Sequence, residues 1–192
     1  MKICVYGAAS VSIDKIYIET TEELGREMVK RGHSLVFGAG ANGLMGAVAR
    51  GVHECKGEIT GIVPNFFNID GALFENCTEM IKTETMRERK RILEELSDAF
   101  IITPGGIGTF DEFFEILTLK QLNRHNKPII IFNINNYYDS MLSFIDNAIS
   151  GGFMKDAARG LYHVSNDIED IFDYLDNYEP VVLNLVETKD IK

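Results

Sequence analysis

The sequence predicts an α/β fold: one Rossmann-like domain over residues 1–192, a parallel sheet with helices on both faces. Three observations predict it. Short apolar runs recur along the chain, and segments of helical period alternate with them. The runs AFII at 99–102 and PIIIF at 128–132 are apolar throughout, as strands buried on both faces must be. A length of 192 residues with 45% apolar content suits one three-layered domain, large enough to bury a sizeable core. Such sheets bind ligands at the carboxyl ends of their strands.

In chain order, Lys2–Tyr6 reads as a first buried strand ending in Gly7-Ala8-Ala9-Ser10. A helix follows over about Tyr17–Arg31, with Leu24, Met28 and Val29 on one face and Gly32 as its stop. Ser34–Phe37 is a second strand, followed by Gly38-Ala39-Gly40-Ala41-Asn42-Gly43 and a helix through Val52. Ile59–Val63 is a third strand, closed by Pro64. Residues 65–76 lack a period and read as a surface loop and candidate lid. Met80-Ile81 sits in a short strand, and Glu84–Ser97 is a strongly charged helix. After the central strand and helix come the PIIIF strand, a helix over Tyr137–Ser150 and a last helix near Ile168–Leu175. No internal repeat or low-complexity tract appears.

Nineteen basic against 29 acidic side chains leave a net charge of −10. That balance excludes a general nucleic-acid surface or an anionic-membrane surface. Three irregularly spaced cysteines without a signal peptide point to a reducing cytoplasm. No apolar run approaches the ~20 residues of a membrane span.

The chemistry concentrates in Ala99–Lys120, where an apolar run meets Pro104-Gly105-Gly106 and Gly108-Thr109 opens a helix. Strand, glycine turn and helix start leave backbone N–H groups and the positive end of a helix dipole facing outward, a site for a phosphate. Gly105, Gly106, Gly108 and Thr109 are therefore the candidate cradle, the Thr109 hydroxyl included, with Glu112 one turn further on. Glu112 has a second reading, because Thr109-x-x-Glu112 is also a capping box. The pattern leaves catalyst and cap both open.

On the charged helix, steps of about 100° per residue put Met86, Ile92, Leu93 and Leu96 on one apolar stripe. Arg89 falls in the middle of that stripe and Lys90 on its edge, whereas Arg87 and Arg91 point away. A guanidinium aimed inward needs an anion or acceptors to meet it. A structural ion pair, or an arginine whose stem packs while its head reaches water, would satisfy the same pattern.

Gly38-x-Gly40-x-x-Gly43 matches the dinucleotide fingerprint but follows the second strand. The next strand ends in Ile62-Val63-Pro64-Asn65, with no carboxylate for a ribose hydroxyl. It reads better as a second glycine-lined turn beside the same ligand. A nucleophile elbow, a zinc spacing and a Walker lysine are all missing. The Tyr137-Tyr138 and Phe113-Phe114 pairs read as core or interface packing.

Together these residues resemble the Lonely Guy (LOG) family, the cytokinin riboside 5′-monophosphate phosphoribohydrolases once labelled possible lysine decarboxylases. Pro104 to Glu112 fits the family's P-G-G-x-G-T-x-x-E, Arg89-Lys90 its R-K, and Gly43 to Gly46 its G-L-M-G. Thr118, Gln121, Leu122 and Pro128 fit its T-x-x-Q-L…K-P segment, and Tyr137-Tyr138 through Gly152-Phe153 its tyrosine-rich helix. The resemblance implies a Rossmann-like homodimer that hydrolyses a nucleoside 5′-monophosphate to free base and ribose 5-phosphate, without metal or organic cofactor. It implies Glu112 and Arg89 as the catalytic pair. Lys90, Thr118, Met86, Gly38 and Gly40 join the glycine turn as substrate-binding candidates. The chain departs from the family at Ala39, where a glycine is usual, at Arg87 for a histidine, and at Leu119 for a frequent tryptophan. Asn68 lies near where plant members carry a base-contacting glutamate. These departures gather at the base end of the site and leave the base open between a cytokinin and an ordinary purine. Molybdenum cofactor carriers, similar in fold, supply the rival expectation of a binding protein without catalysis.

Overall fold

The structure, a computed structural model, describes residues 1–67 and 71–180. Asn68 and the tail from residue 181 onward lie outside the described residues, so the expectations attached to them have no structural counterpart.

Among the described residues seven parallel strands form one sheet in the order β4-β3-β2-β1-β5-β6-β7. They are β1 (Lys2–Tyr6), β2 (Ser34–Phe37), β3 (Ile59–Pro64), β4 (Glu79–Thr83), β5 (Ala99–Ile102), β6 (Ile129–Phe132) and β7 (His163–Ser165). The helices are α1 (Lys15–Lys30), α2 (Gly43–Glu54), α3 (Met86–Leu96), α4 (Ile107–Gln121), α5 (Asp139–Ser150) and α6 (Ile168–Asp176). Alternate residues of each strand face opposite layers. Ile3, Val5, Leu35, Phe37, Ile101 and Ile130 pack with α1, α2 and α6. Cys4, Tyr6, Val36, Phe100, Ile102 and Ile131 pack with α3, α4 and α5. The all-apolar runs are thus explained by burial on two sides.

Strand order reverses between β1 and β5, which pair from Ile3↔Ala99 to Tyr6↔Ile102. Their ends are level, so the loops after β1 and β5 emerge side by side at the seam where α/β sheets open a crevice. β7 carries no strand signal in the sequence, because it is three residues long at the sheet edge with only Ser165 buried. The helix expected from Tyr137 begins at Asp139, after a single 3₁₀ turn over Ile134–Asn136. In the expected surface loop, Ala41 N–H donates to Ala72 O at 2.9 Å and Phe74 N–H to Ala39 O at 2.9 Å. Phe74 is itself buried in the core, so the far end of that loop is fastened to the turn after β2. No helix among the described residues is long and apolar enough to cross a membrane.

Candidate functional site

α4 begins one residue before the sequence places it, at Ile107, with Gly106 as an N-cap that carries no side-chain cap. A helix start leaves its first N–H groups without intrahelical partners and carries the positive end of the dipole. Here that end opens onto a cavity of about 630 Å³ at the β1/β5 seam, a size typical of small-molecule sites. Gly106, Gly108 and Thr109 line it, opposite Gly7–Ser10 from the loop after β1.

The start at Ile107 also decides between the two readings of Glu112. Thr109 is the third helical residue and is not the cap, so Glu112 has no cap N–H to reach back to. A related cap lies on α3 instead, where Thr85 Oγ1 accepts from Glu88 N–H at 3.1 Å and Glu88 Oε2 from the N–H of Glu84, one residue before the cap, at 2.8 Å. Glu112 instead faces the cavity, and its Oε1 accepts from Arg89 Nη1 at 2.9 Å.

The helical period of α3 puts Arg89 inward as expected: it is 8% exposed, while Arg87 and Arg91 lie at the surface. Its Nε donates to Ile62 O at 3.2 Å, its Nη1 to Glu112, and its Nη2 lies where a Cβ on residue 38 would be. Two hydrogen bonds and the space left by Gly38 orient the guanidinium beside the cavity. Burial pushes the Glu112 carboxyl above its ordinary value, and the Arg89 charge and hydrogen bond pull it back only in part. A carboxylate with a raised pKa is a stronger proton acceptor near neutral pH.

The remaining candidates divide. Gly38, Gly40, Met86, Arg89, Lys90, Gly106, Gly108, Thr109 and Glu112 all line the one cavity. Gly105 does not: it lies behind the turn, where a Cβ would be 2.1 Å from Thr109 Oγ1. Its missing side chain makes room for the Thr109 hydroxyl. Thr118 does not line it either. It is exposed, about 9 Å along α4 from Glu112 and on a different face, since six residues turn the helix by about 240° beyond a full revolution. Lys90 Nζ is held at 3.0 Å from Asp111 and 2.9 Å from Glu115, both on α4.

The dinucleotide-like glycines serve packing around the site. Gly38 admits the Arg89 guanidinium, Gly40 admits Met45 Cε, and Gly43 takes φ +59 with Ala8 O close by. Sequence reasoning missed the other wall of the cavity: Asn42, Met45, Val63, Pro64, Phe67 and Ala72. The available signal was positional, since most of them follow the carboxyl ends of β2 and β3.

A family model described as "Possible lysine decarboxylase" matches residues 45–175. A probable cytokinin riboside 5′-monophosphate phosphoribohydrolase of Oryza sativa subsp. japonica is 37% identical over 179 residues, 93% of this chain and 73% of its own. A cytokinin riboside 5′-monophosphate phosphoribohydrolase of Arabidopsis thaliana is 35% identical over 180 residues, covering 94% and 79%. Among solved structures, the molybdenum cofactor carrier protein of Chlamydomonas reinhardtii matches with a TM-score of 0.69 at 20% identity, over 91% of this chain and 95% of that one. The molybdenum cofactor binding protein of Rippkaea orientalis matches at 0.67 and 19%, over 91% and 93%. At such identities the likeness is one of fold.

Proposed function

This chain belongs to the family described as possible lysine decarboxylase, the Lonely Guy (LOG) family, and on that premise we propose that it hydrolyses a nucleoside 5′-monophosphate. The bond cut is the N-glycosidic bond of a cytokinin or purine nucleotide, and the products are free base and ribose 5-phosphate. One observation carries the reading: a buried carboxylate, Glu112, and a buried guanidinium, Arg89, meet at the wall of a cavity that an uncapped helix start keeps ready for an anion.

The 5′-phosphate sits at the start of α4, on the N–H groups about Gly106 and Gly108 and the Thr109 hydroxyl. Cleavage of the bond from C1′ to the base builds positive charge on the ribose. Glu112 stabilises that charge and accepts a proton from the water that adds to C1′, while the base departs with the bonding electrons and gains a proton. Arg89 holds Glu112 and the ribose phosphate in register. The decarboxylase in the family's description does not suit this cavity. Among the described residues its one lining lysine, Lys90, is clasped by Asp111 and Glu115 as an ammonium, the wrong state for an amine that must form a Schiff base.

Glu112→Gln is expected to keep the fold and nucleotide binding and to lower turnover at least about 100-fold, the scale of general-base catalysis. The assay separates free base from ribose 5-phosphate over a panel of nucleoside monophosphates. Wild-type turnover in Glu112→Gln sinks the mechanism. Nucleotide binding without base release supports the carrier, and comparing AMP with its N6-isopentenyl derivative identifies the base.

We place the protein in the cytoplasm, on its three free cysteines, and read it as a homodimer. The face assigned to the second copy is the stripe Ile107, Phe110 and Phe114 on α4, of which Ile107 is 86% exposed. Sedimentation tests it: Ile107→Glu should shift the protein towards monomer, and a monomeric wild type refutes it.

A further inference from the structure

The turn that carries the anion site is gripped from behind. Three successive carbonyls accept hydrogen bonds from groups outside the turn. Tyr138 Oη donates to Thr103 O at 2.8 Å, Ala8 N–H to Pro104 O at 3.0 Å, and Tyr137 Oη to Gly105 O at 2.7 Å. In a trans peptide unit the C=O and the following N–H point opposite ways. A phenol holding Gly105 O therefore turns the Gly106 N–H to the other side. Gly106 lines the cavity and Tyr137 does not, so that other side is the cavity.

The two tyrosines reach the turn through a built arrangement. After β6 the chain passes Asn135 at φ 51 and Asn136 at φ 59, left-handed conformations that asparagine tolerates better than most residues. Asn133 Oδ1 accepts from Tyr138 N–H at 2.7 Å, while its Nδ2 donates to Asp139 Oδ1 at 2.8 Å. The rings then stand edge to face, with centroids 5.0 Å apart. The packing expected of this pair holds for Tyr138, which is buried, but Tyr137 is 42% exposed. Packing alone gives no reason for a half-exposed phenol aimed at a backbone carbonyl of the phosphate turn.

We propose that Tyr137 is a positioning residue for the substrate's phosphate: its phenol sets the Gly105–Gly106 peptide so that the Gly106 N–H is presented to the anion. Tyr138 and Ala8 hold the two carbonyls before it. The inference rests on the phosphate reading of the α4 start given above.

Tyr137→Phe keeps the ring and removes only the hydroxyl. Amide proton–nitrogen spectra of the full chain, titrated separately with inorganic phosphate and with AMP, read both affinity and the Gly106 N–H. In wild type the Gly106 amide proton should move downfield on binding. In Tyr137→Phe both ligands should bind about fivefold more weakly, the loss of one neutral hydrogen bond, with a smaller Gly106 shift. In turnover, KM for AMP should rise by the same factor while kcat stays within about twofold. Tyr17→Phe, whose ring touches Tyr137 but whose hydroxyl does not reach the turn, should behave as wild type. Unchanged affinity or an unchanged Gly106 shift in Tyr137→Phe overturns the proposal. Because the readout is binding, AMP bound without base release would refute the hydrolase and leave this test standing. A wild type that binds neither ligand refutes both.

Discussion

Substituting Gly38 by alanine separates the function of the site from the stability of the fold. Gly38 is not in the left-handed region, so alanine meets no backbone objection. Its Cβ, however, would lie 2.0 Å from Arg89 Nη2 and 3.2 Å from Arg89 Cζ. Ordinary contact begins at 3.4 Å, so the guanidinium has to recede by about 1.4 Å, the difference of 3.4 and 2.0. A shift of that size breaks the 2.9 Å bond to Glu112 or drags Glu112 with it. Misplacing a catalytic group by about 1 Å costs on the order of 100-fold, or about 2.7 kcal/mol of barrier. The atom displaced is the far end of a flexible side chain beside an open cavity, so the fold itself should lose little. The assay is kcat/KM for base release from AMP and from its N6-isopentenyl derivative, alongside a thermal melt. A folded Gly38→Ala with wild-type kcat/KM would show that the Arg89–Glu112 geometry does not control the reaction.

Three further substitutions test other claims. Arg89→Ala should lower kcat/KM by at least about 100-fold, whereas Arg87→Ala, exposed on the same helix, should change it less than about twofold; equal effects would sink the helical-wheel argument for α3. Lys120 is 1% exposed, its Nζ has no hydrogen-bond partner among the described residues, and it lies 5.1 Å from the Tyr178 ring centroid. Burial brings its pKa down from 10.5 to about 8. Between those values the unfolded chain holds a proton that the folded one releases, so wild-type stability should rise with pH across that window. Lys120→Met should abolish the rise and, below pH 8, stabilise the fold by about 3 kcal/mol. Urea unfolding at pH 7 and pH 10 measures both, and a less stable methionine variant at pH 7 overturns the assignment.

Most of the sheet was legible because strands buried on both faces write continuous apolar runs, as KICVY, AFII and IIIF do. β7 was not, since three residues at a sheet edge carry no such signature. Arg89 could be placed inward because a helix of 11 residues has a definite face. Glu112 could not be assigned, because T-x-x-E reads alike whether the helix starts after Thr109 or before it. Only the observed start at Ile107 breaks that tie. Thr118 shares the family's sequence pattern with the site residues, but helical phase turns it away from the cavity. The phenol-to-carbonyl bonds of Tyr137 and Tyr138 span more than 30 residues of sequence, beyond the reach of any local period.

The cavity straddles the seam where the sheet changes direction. Gly7–Ser10, the turn after β2 and Arg89 belong to one half of the chain, whereas the start of α4 belongs to the other. A nucleotide lodged there would act as a rivet, adding its contacts to the β1/β5 ladder and to the Arg89–Glu112 and Ala8–Pro104 hydrogen bonds that already join the two halves. At a hundred times its dissociation constant such a ligand should stabilise the fold by about 2.7 kcal/mol. Hydrogen-exchange protection should then spread from β1 and β5 outward to both halves together.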